Sequence, residues 1–119
     1  MEAAPSLSSS LGRISISHEA VAQIVGHVAA EAYGVVGMAA RTPREKLLSR
    51  DRLRQGITVG GSAEEEVTIE LHVVVEYGLN LAEVASTLRN RVQYEVERLT
   101  GLRVAEVEVR IQDVKKSTA

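Results

Sequence analysis

The chain has 119 residues, of which 45% are hydrophobic and 25% charged, and a formal net charge of −2, which fits one small globular domain. It contains no cysteine, which excludes disulfides, iron–sulfur clusters, thiolate zinc sites and cysteine nucleophiles. Phenylalanine and tryptophan are also absent, so the aromatic platforms that stack single-stranded nucleic acids and sugars are largely missing, whereas the many valines favour a sheet.

The N-terminal part of the sequence predicts a tail and then a short strand. Residues 1–11 are rich in alanine and serine and are expected to be disordered. They lack the features of a signal peptide, and no apolar window of the chain is long enough to span a membrane, so the sequence favours a cytoplasmic protein. The alternation in Arg13–Ser17 predicts a strand with Ile14 and Ile16 on one face.

The first helix is predicted from about His18 to Tyr33. Ser17 is suited to cap it, and Glu19 places a negative charge in the first turn, where the helix dipole favours one. Gly26 lies inside this helix at a cost of about 1 kcal/mol relative to alanine, which we interpret as a close approach in the core rather than at a subunit interface. The apolar stripe of the helix consists of Val21, Ile24, Val25, Val28 and Ala32.

A second helix is predicted over residues 43–55, and it is basic. Thr42, Pro43 and Glu45 form a capping box with proline at the first helical position. The leucines that follow form no single stripe, so we expect the helix to lie at the periphery of the domain. The segment Arg41–Arg54 contains six positive and two negative residues, a net charge of +4, while the rest of the chain carries −6.

Two strands follow the basic segment. Ile57–Val59 predicts a short strand, and the acidic run Glu64–Glu66 predicts the tip of a hairpin. Val67–Tyr77 predicts the longest strand, because its apolar residues alternate with polar ones such as Glu70 and His72. Such alternation indicates that one face of the sheet is covered and the other is solvated.

The longest helix is predicted between Asn80, which is suited to cap it, and Gly101, which is suited to end it. Glu95 lies at the edge of its apolar stripe and is expected to pair with Arg91 or Arg98 along the helix. The stripe consists of Leu81, Val84, Ala85, Leu88, Val92, Val96 and Leu99. A last strand is predicted to place Ala105, Val107, Val109 and Ile111 on one face.

These elements predict an α/β two-layer sandwich. Their order is strand, helix, basic helix, strand, strand, helix, strand, with a mixed sheet of three to four strands and the helices on one face. Residues 12–114 would form the single domain, between a disordered tail at 1–11 and a C-terminal tail at 115–119.

Three stretches of the sequence resemble one protein family. The first begins with the run G-R-I-S-I-S at Gly12 and extends through Glu31. The second is V-E-Y-G, which ends at Gly78 and precedes a helix, and the third is T-G-L, which starts at Thr100 and precedes the last strand. Together they cover Gly12 to Val114, and they are similar to the alkaline-shock, or envelope stress response, proteins of Gram-positive bacteria.

The resemblance implies a cytoplasmic protein that is not an enzyme and has no catalytic residue or cofactor. Proteins of this family associate with themselves and are held at the inner face of the cell membrane, often through a small membrane-anchored partner. The sequence itself weakly suggests one cation site, formed by Glu70, His72 and Glu76 on the polar face of the long strand. A solvated sheet face explains these residues better, so we predict no metal site, and a metal-dependent enzyme is the least favoured function.

The basic helix is the candidate binding site, through the side chains of Arg44, Lys46, Arg50 and Arg54. The simplest interpretation is an exposed connector, since runs of charge usually face solvent. A docking site for an acidic partner protein or anionic lipid is the second interpretation. The alternative function is a small nucleic-acid-binding α/β domain that acts through residues 43–55, which the acidic overall charge and the missing aromatic residues disfavour.

Overall fold

A computed structural model describes residues 6–39, 56–61 and 65–116. The predicted basic helix at 43–55, with all four candidate binding residues, lies outside this part of the chain. The described elements are two helices, α1 (His18–Glu31) and α2 (Leu81–Thr100), and six strands: β1 (Ser6–Ser9), β2 (Gly12–Ser15), β3 (Val35–Met38), β4 (Ile57–Gly60), β5 (Glu66–Glu76) and β6 (Arg103–Lys115).

The main sheet is organised around β5, which has partners along both edges. On one edge β6 runs parallel to β5 over its whole length. On the other edge β3 and β4 are both antiparallel to β5 and follow one another along it, β3 beside Val73–Val75 and β4 beside Thr68–Leu71. The predicted mixed sheet is therefore confirmed, with β6 on one side of β5 and two short strands on the other.

Both helices cover the same face of this sheet, which confirms the two-layer sandwich. Five aliphatic residues at alternate positions of β5 face the helices and are at most 2% exposed. They are Val67, Ile69, Leu71, Val73 and Val75. They meet the buried stripe of α2, which is Val84, Leu88, Val92 and Val96, and the α1 residues Val21, Val25, Val28 and Ala29. The core is thus built almost entirely of aliphatic side chains, as the composition indicates.

The ends of both helices match the predicted caps. The side chain of Ser17 accepts a hydrogen bond from the N–H of Ala20 at 3.0 Å, and that of Asn80 accepts one from Glu83 at 3.0 Å. Gly101 ends α2 in the left-handed conformation, with a φ of 77°. Helix α1 ends at Glu31, two residues before the predicted end at Tyr33.

The structure differs from the sequence-based expectation at the N-terminus. Residues 6–9, expected to be disordered, form β1 and pair antiparallel with β2, with Leu7 opposite Ile14. Leu7 packs against the edge of the core, and this contact supplies burial that the composition of the segment does not predict. Ile14 and Ile16 do not share a buried face, because β2 ends at Ser15 and Ile14 remains 64% exposed.

Two features of the sheet were not predicted from the sequence. Strand β3 is only four residues long and contains Gly37, where its register with β5 shifts, so it has no clear alternation. In β6 the register shifts between Val104 and Glu106, which leaves Val104 in the core and Ala105 exposed. The expected apolar face of β6 is therefore correct from Val107 onward but wrong at Ala105, because a bulge inserts one residue.

Candidate functional site

The candidate binding residues Arg44, Lys46, Arg50 and Arg54 lie outside the described residues, but both ends of the segment that contains them are described. The chain leaves the sheet after Ala39 and returns at Gly56. The N–H of Ala39 donates to the carbonyl oxygen of His72 at 2.9 Å, and the N–H of His72 donates to the carbonyl oxygen of Gly56 at 2.8 Å. Residues 40–55 therefore begin and end at one residue in the middle of β5.

Gly56 makes this close return possible. It has a positive φ of 79°, a conformation that residues with a side chain rarely adopt. A Cβ atom at this position would collide with the carbonyl oxygen of Ala39. Ala39 and Gly56, the described residues that flank the basic segment, thus lie side by side, and this close approach requires glycine.

The side chain of His72 lies on the face of the sheet opposite the helices, which we call the open face. His72 is nevertheless buried, with 7% of the residue exposed. Its Nδ1 lies 2.6 Å from Nε2 of Gln112, and its Nε2 lies 3.2 Å from Oε1 of Glu70. With the Gln112 amide donating to Nδ1, the ring proton is on Nε2 and donates to the carboxylate, so both ring nitrogens have a partner.

Glu70 extends this network across the parallel pair of strands. Its second carboxylate oxygen, Oε2, lies 3.2 Å from Nε of Arg110 on β6. Arg110 in turn lies 2.7 Å from Oε2 of Glu108. The open face therefore carries a connected row of Gln112, His72, Glu70, Arg110 and Glu108, in which one guanidinium lies between two carboxylates.

The suggested cation trio is not assembled in the structure. Glu70 contacts His72, but Glu76 lies four residues further along β5, about 13 Å away on an extended strand. Among the described residues no group of three histidine, aspartate or glutamate side chains is placed to hold a metal ion. Glu70 and His72 are joined to each other by a hydrogen bond within the sheet.

Sequence reasoning missed the partners of His72 on the neighbouring strand. Gln112 is forty residues away in the chain, and only the parallel register of β5 with β6 brings the two together. The sequence also indicated a solvated position for His72, whereas the residue is buried. Alternation predicted which face His72 occupies but carried no information about what lies beside it.

No helix in the described part of the chain is long and apolar enough to cross a membrane. Among curated proteins, the chain is 32% identical over 108 residues to the uncharacterized protein YloU of Bacillus subtilis, covering 87% of this chain and 89% of that protein. It is 31% identical over 108 residues to the uncharacterized protein Spy1614 of Streptococcus pyogenes, covering 87% and 88% of the two chains.

A more distant relative carries a functional name. The chain is 26% identical over 107 residues to a stress response regulator gls24 homolog of Streptococcus pyogenes, and this match covers 87% of the chain but 59% of the relative. Among solved structures, the chain is similar to the MamM CTD with a TM-score of 0.49 and 15% identity, covering 80% of this chain and 93% of that one.

The model of the alkaline shock protein 23 family, which is described as having a cell envelope-related function, matches residues 6–116. This range extends from the first residue of β1 to the residue after β6, so the match includes every described element. It agrees with the resemblance carried by the motifs at Gly12, Gly78 and Thr100. The chain belongs to the alkaline shock protein 23 family, a family with a cell envelope-related function.

Proposed function

We propose that the protein is a non-enzymatic scaffold of the cell-envelope stress response. In this proposal it associates with itself in the cytoplasm and is recruited to the inner face of the membrane by a small membrane-anchored partner. Family membership over residues 6–116 is the observation that carries the proposal. The name of the gls24 homolog, a stress response regulator, supports the same biological role.

The proposed recruitment site is the basic segment, through Arg44, Lys46, Arg50 and Arg54. Two observations support it. The segment has a net charge of +4 in a chain whose overall charge is −2. The described residues on either side of it, Ala39 and Gly56, are both held by backbone hydrogen bonds to His72, so the segment is attached at the centre of β5. A basic segment of this kind suits an acidic surface on a partner protein, reinforced by anionic lipid headgroups.

The proposal is tested by reversing the charge of Lys46, Arg50 and Arg54 to glutamate together. Folding should change little, because the sequence predicts a peripheral helix here and exposed charges contribute little to stability. Binding of the purified protein to envelope membranes from stressed cells should fall sharply, and binding of the parent protein should weaken as salt is added. The matched control reverses Arg89, Arg91 and Lys116, three exposed cations outside the segment, and should retain binding.

The outcomes separate the competing functions. Full membrane association of the triple variant at low salt would contradict recruitment through the basic segment. The triple variant can also be compared with the parent on protein-free vesicles of anionic lipid. If it loses as much binding to these vesicles as to envelope membranes, lipid is the main ligand. Salt-dependent retention of the parent protein on DNA, removed by the same three substitutions, would favour the nucleic-acid alternative.

A further inference from the structure

Strand β6 has a long edge on the side away from β5. It contains 13 residues, and among the described strands it pairs only with β5. The edge of a strand presents a row of unpaired N–H and C=O groups, which can pair with another strand. No proline interrupts β6, and its lysine lies at its last position, so two common protections of an edge are missing from its middle.

The outward backbone groups of β6 belong to the residues whose side chains face the helices. At the two ends of the strand, the N–H of Arg103 donates to Glu65 and the carbonyl of Lys115 accepts from Tyr77, so these open-face residues point toward β5. Backbone direction alternates together with side-chain direction along a strand. Val107, Val109 and Ile111 therefore turn their N–H and C=O groups toward the free edge.

The first backbone N–H of β6 that points away from β5 already has a hydrogen-bond acceptor in the same chain. The N–H of Val104, which faces the helices, donates to Oε2 of Glu97 on α2 at 3.0 Å. The register shifts at Ala105 and Gln112 bound a regular stretch between them. The part of the edge that is regular and available for pairing is thus centred near Val109.

The same residues have incompletely buried apolar side chains. Val107, Val109 and Ile111 pack against the core on one side and are only half-buried. A strand added beside β6 would cover their remaining surface and continue the sheet. Apolar contact and backbone hydrogen bonding therefore act at the same three residues.

Charge selects a second copy of this chain as the occupant of the edge, in one register. In an antiparallel pair with its two-fold axis at Val109, Glu108 lies opposite Arg110 of the partner subunit, and Arg110 lies opposite Glu108 of the partner subunit. Val109 then faces Val109 of the partner subunit as a hydrogen-bonded pair. The two charge pairs occupy the closer, non-hydrogen-bonded positions, where opposite residues are about 4.5 Å apart between Cα atoms.

Neighbouring registers are disfavoured by the same charges. Moving the axis to Glu108 places that carboxylate opposite its own copy, and moving it to Arg110 places the two guanidinium groups together. Moving it to Val107 places Glu106 opposite Glu108 twice, and moving it to Ile111 brings the bulge at Gln112 into the ladder. Like charges directly opposite each other destabilise a strand pair.

We propose that two copies of the protein pair β6 with β6 in antiparallel fashion about a two-fold axis at Val109, which joins the two sheets into one. The inference rests on the self-association part of the proposed function and names its surface. It requires nothing of the basic segment, so the two proposals are tested separately.

The first test is Val109→Pro, measured by sedimentation equilibrium. Proline removes an N–H that faces the free edge, so the ladder with β5 keeps its hydrogen bonds while pairing with a second copy is blocked. We expect association of the parent protein to weaken by about a hundredfold or more. Val109→Ala, which retains the N–H, should stay a dimer, and circular dichroism should show both variants folded.

The second test uses charge and does not depend on the tolerance for proline. Glu108→Arg alone places two arginines opposite each other, and Arg110→Glu alone places two glutamates opposite each other, so each should weaken its own dimer by about tenfold. An equimolar mixture of the two variants restores both unlike pairs and should form a heterodimer of near-parental affinity. A misfolded variant could not be rescued in this way.

Several results would overturn the inference. These are a parent protein that stays monomeric at all concentrations, a dimer unaffected by Val109→Pro, or two charge variants that do not recover on mixing. A dimer that passes these tests while the Lys46, Arg50 and Arg54 variant keeps full membrane association would instead refute only the recruitment site. A parent protein that stays monomeric but binds membranes through the basic segment would refute only the β6 interface.

Discussion

The two faces of the main sheet are made by the same strands but are stabilised in different ways. On the helix face, five alternate residues of β5 are at most 2% exposed and form one apolar cluster with side chains of α1, α2 and the neighbouring strands. On the open face, His72 is also buried, at 7% exposed, but it is held by hydrogen bonds to Glu70 and Gln112. A buried position in this domain can therefore be stabilised either by apolar packing or by hydrogen bonds, and its burial alone does not tell which.

The difference has an energetic consequence. Removing an aliphatic side chain from the helix face leaves a cavity that rigid neighbours cannot fill. Removing a polar group from the open face leaves partners, such as Glu70, that keep another ion pair. The helix face should consequently dominate the free energy of unfolding, while the open face should mainly determine local structure near the ends of the basic segment.

Leu88→Ala should give the largest effect, because Leu88 is 0% exposed in the centre of α2. We expect a loss of about 2–5 kcal/mol in the free energy of unfolding, measured by urea denaturation. The matched control is Leu99→Ala on the same helix, where the leucine is 54% exposed and should contribute far less. Equal losses at the two leucines would show that α2 does not pack as described.

Gly56→Ala should come next, because it acts on the backbone where the basic segment returns. The positive φ and the collision of a Cβ atom with the carbonyl of Ala39 should together cost about 1–3 kcal/mol. Gly37→Ala in β3 is the control, since a Cβ atom there meets nothing within 4 Å. Hydrogen exchange at the His72 amide should accelerate in the first variant and not in the second. Unchanged exchange in Gly56→Ala would contradict the hydrogen bond from the His72 amide to Gly56.

His72→Leu should have a smaller effect, about 1 kcal/mol, because the new side chain keeps most of the volume and loses two hydrogen bonds. Glu70 retains Arg110 as an ion-pair partner, at 3.2 Å. Thermal melts of this variant and of Gln112→Ala, which removes one of the same hydrogen bonds, should shift in the same direction. A loss as large as that of Leu88→Ala would mean that the open face is part of the core.

The smallest effect is expected at the Glu95–Arg98 pair on α2, the pairing anticipated from the sequence. Arg98 donates two hydrogen bonds to the carboxylate, at 2.9 and 3.0 Å, and these lower the pKa of Glu95 below its ordinary value of 4.5. A lowered pKa stabilises the fold above the ordinary value, and this contribution is lost as pH falls through the folded-state pKa.

Arg98→Ala should therefore raise the pKa of Glu95 toward its ordinary value, as followed by NMR titration of the carboxyl group. The difference in stability between parent and variant should shrink as the pH falls below that value. Arg89→Ala, which removes a cation that pairs with Ser86 instead, should leave the Glu95 titration unchanged. A Glu95 pKa that does not respond to Arg98→Ala would contradict the pairing.

Much of the fold could be predicted because it depends on local rules. Ser17, Asn80 and Gly101 end their helices as expected, since capping involves only residues within one turn. The alternation of β5 predicted its buried face. The predicted stripe of α2 is correct at Val84, Leu88, Val92 and Val96 but wrong at its ends, where Leu81 and Leu99 are 38% and 54% exposed. The family resemblance was carried by short motifs and agrees with the match over residues 6–116.

Other features depended on residues far apart in the chain. Strand β3 has too few residues and too irregular a register to show alternation, and it exists because Val73–Val75 offer an open edge. Strand β1 forms because Leu7 finds a contact near Gly101, nearly a hundred positions away. The predicted apolar side of Ala105 was wrong because of the bulge there. The bulge becomes visible only when β6 is paired with β5, since the pairing shows one extra residue.

The sequence by itself determined the α/β class, both N-terminal helix caps, the glycine that ends α2, most of the apolar faces and the concentration of positive charge in one segment. These follow from periodicity, capping and composition, which act over a few residues. Only the tertiary structure decided that β6 lies parallel to β5, that His72 meets Gln112, and that both ends of the basic segment meet at His72. Strand partners are chosen by packing and hydrogen bonding between distant segments, and no local pattern of residues encodes that choice.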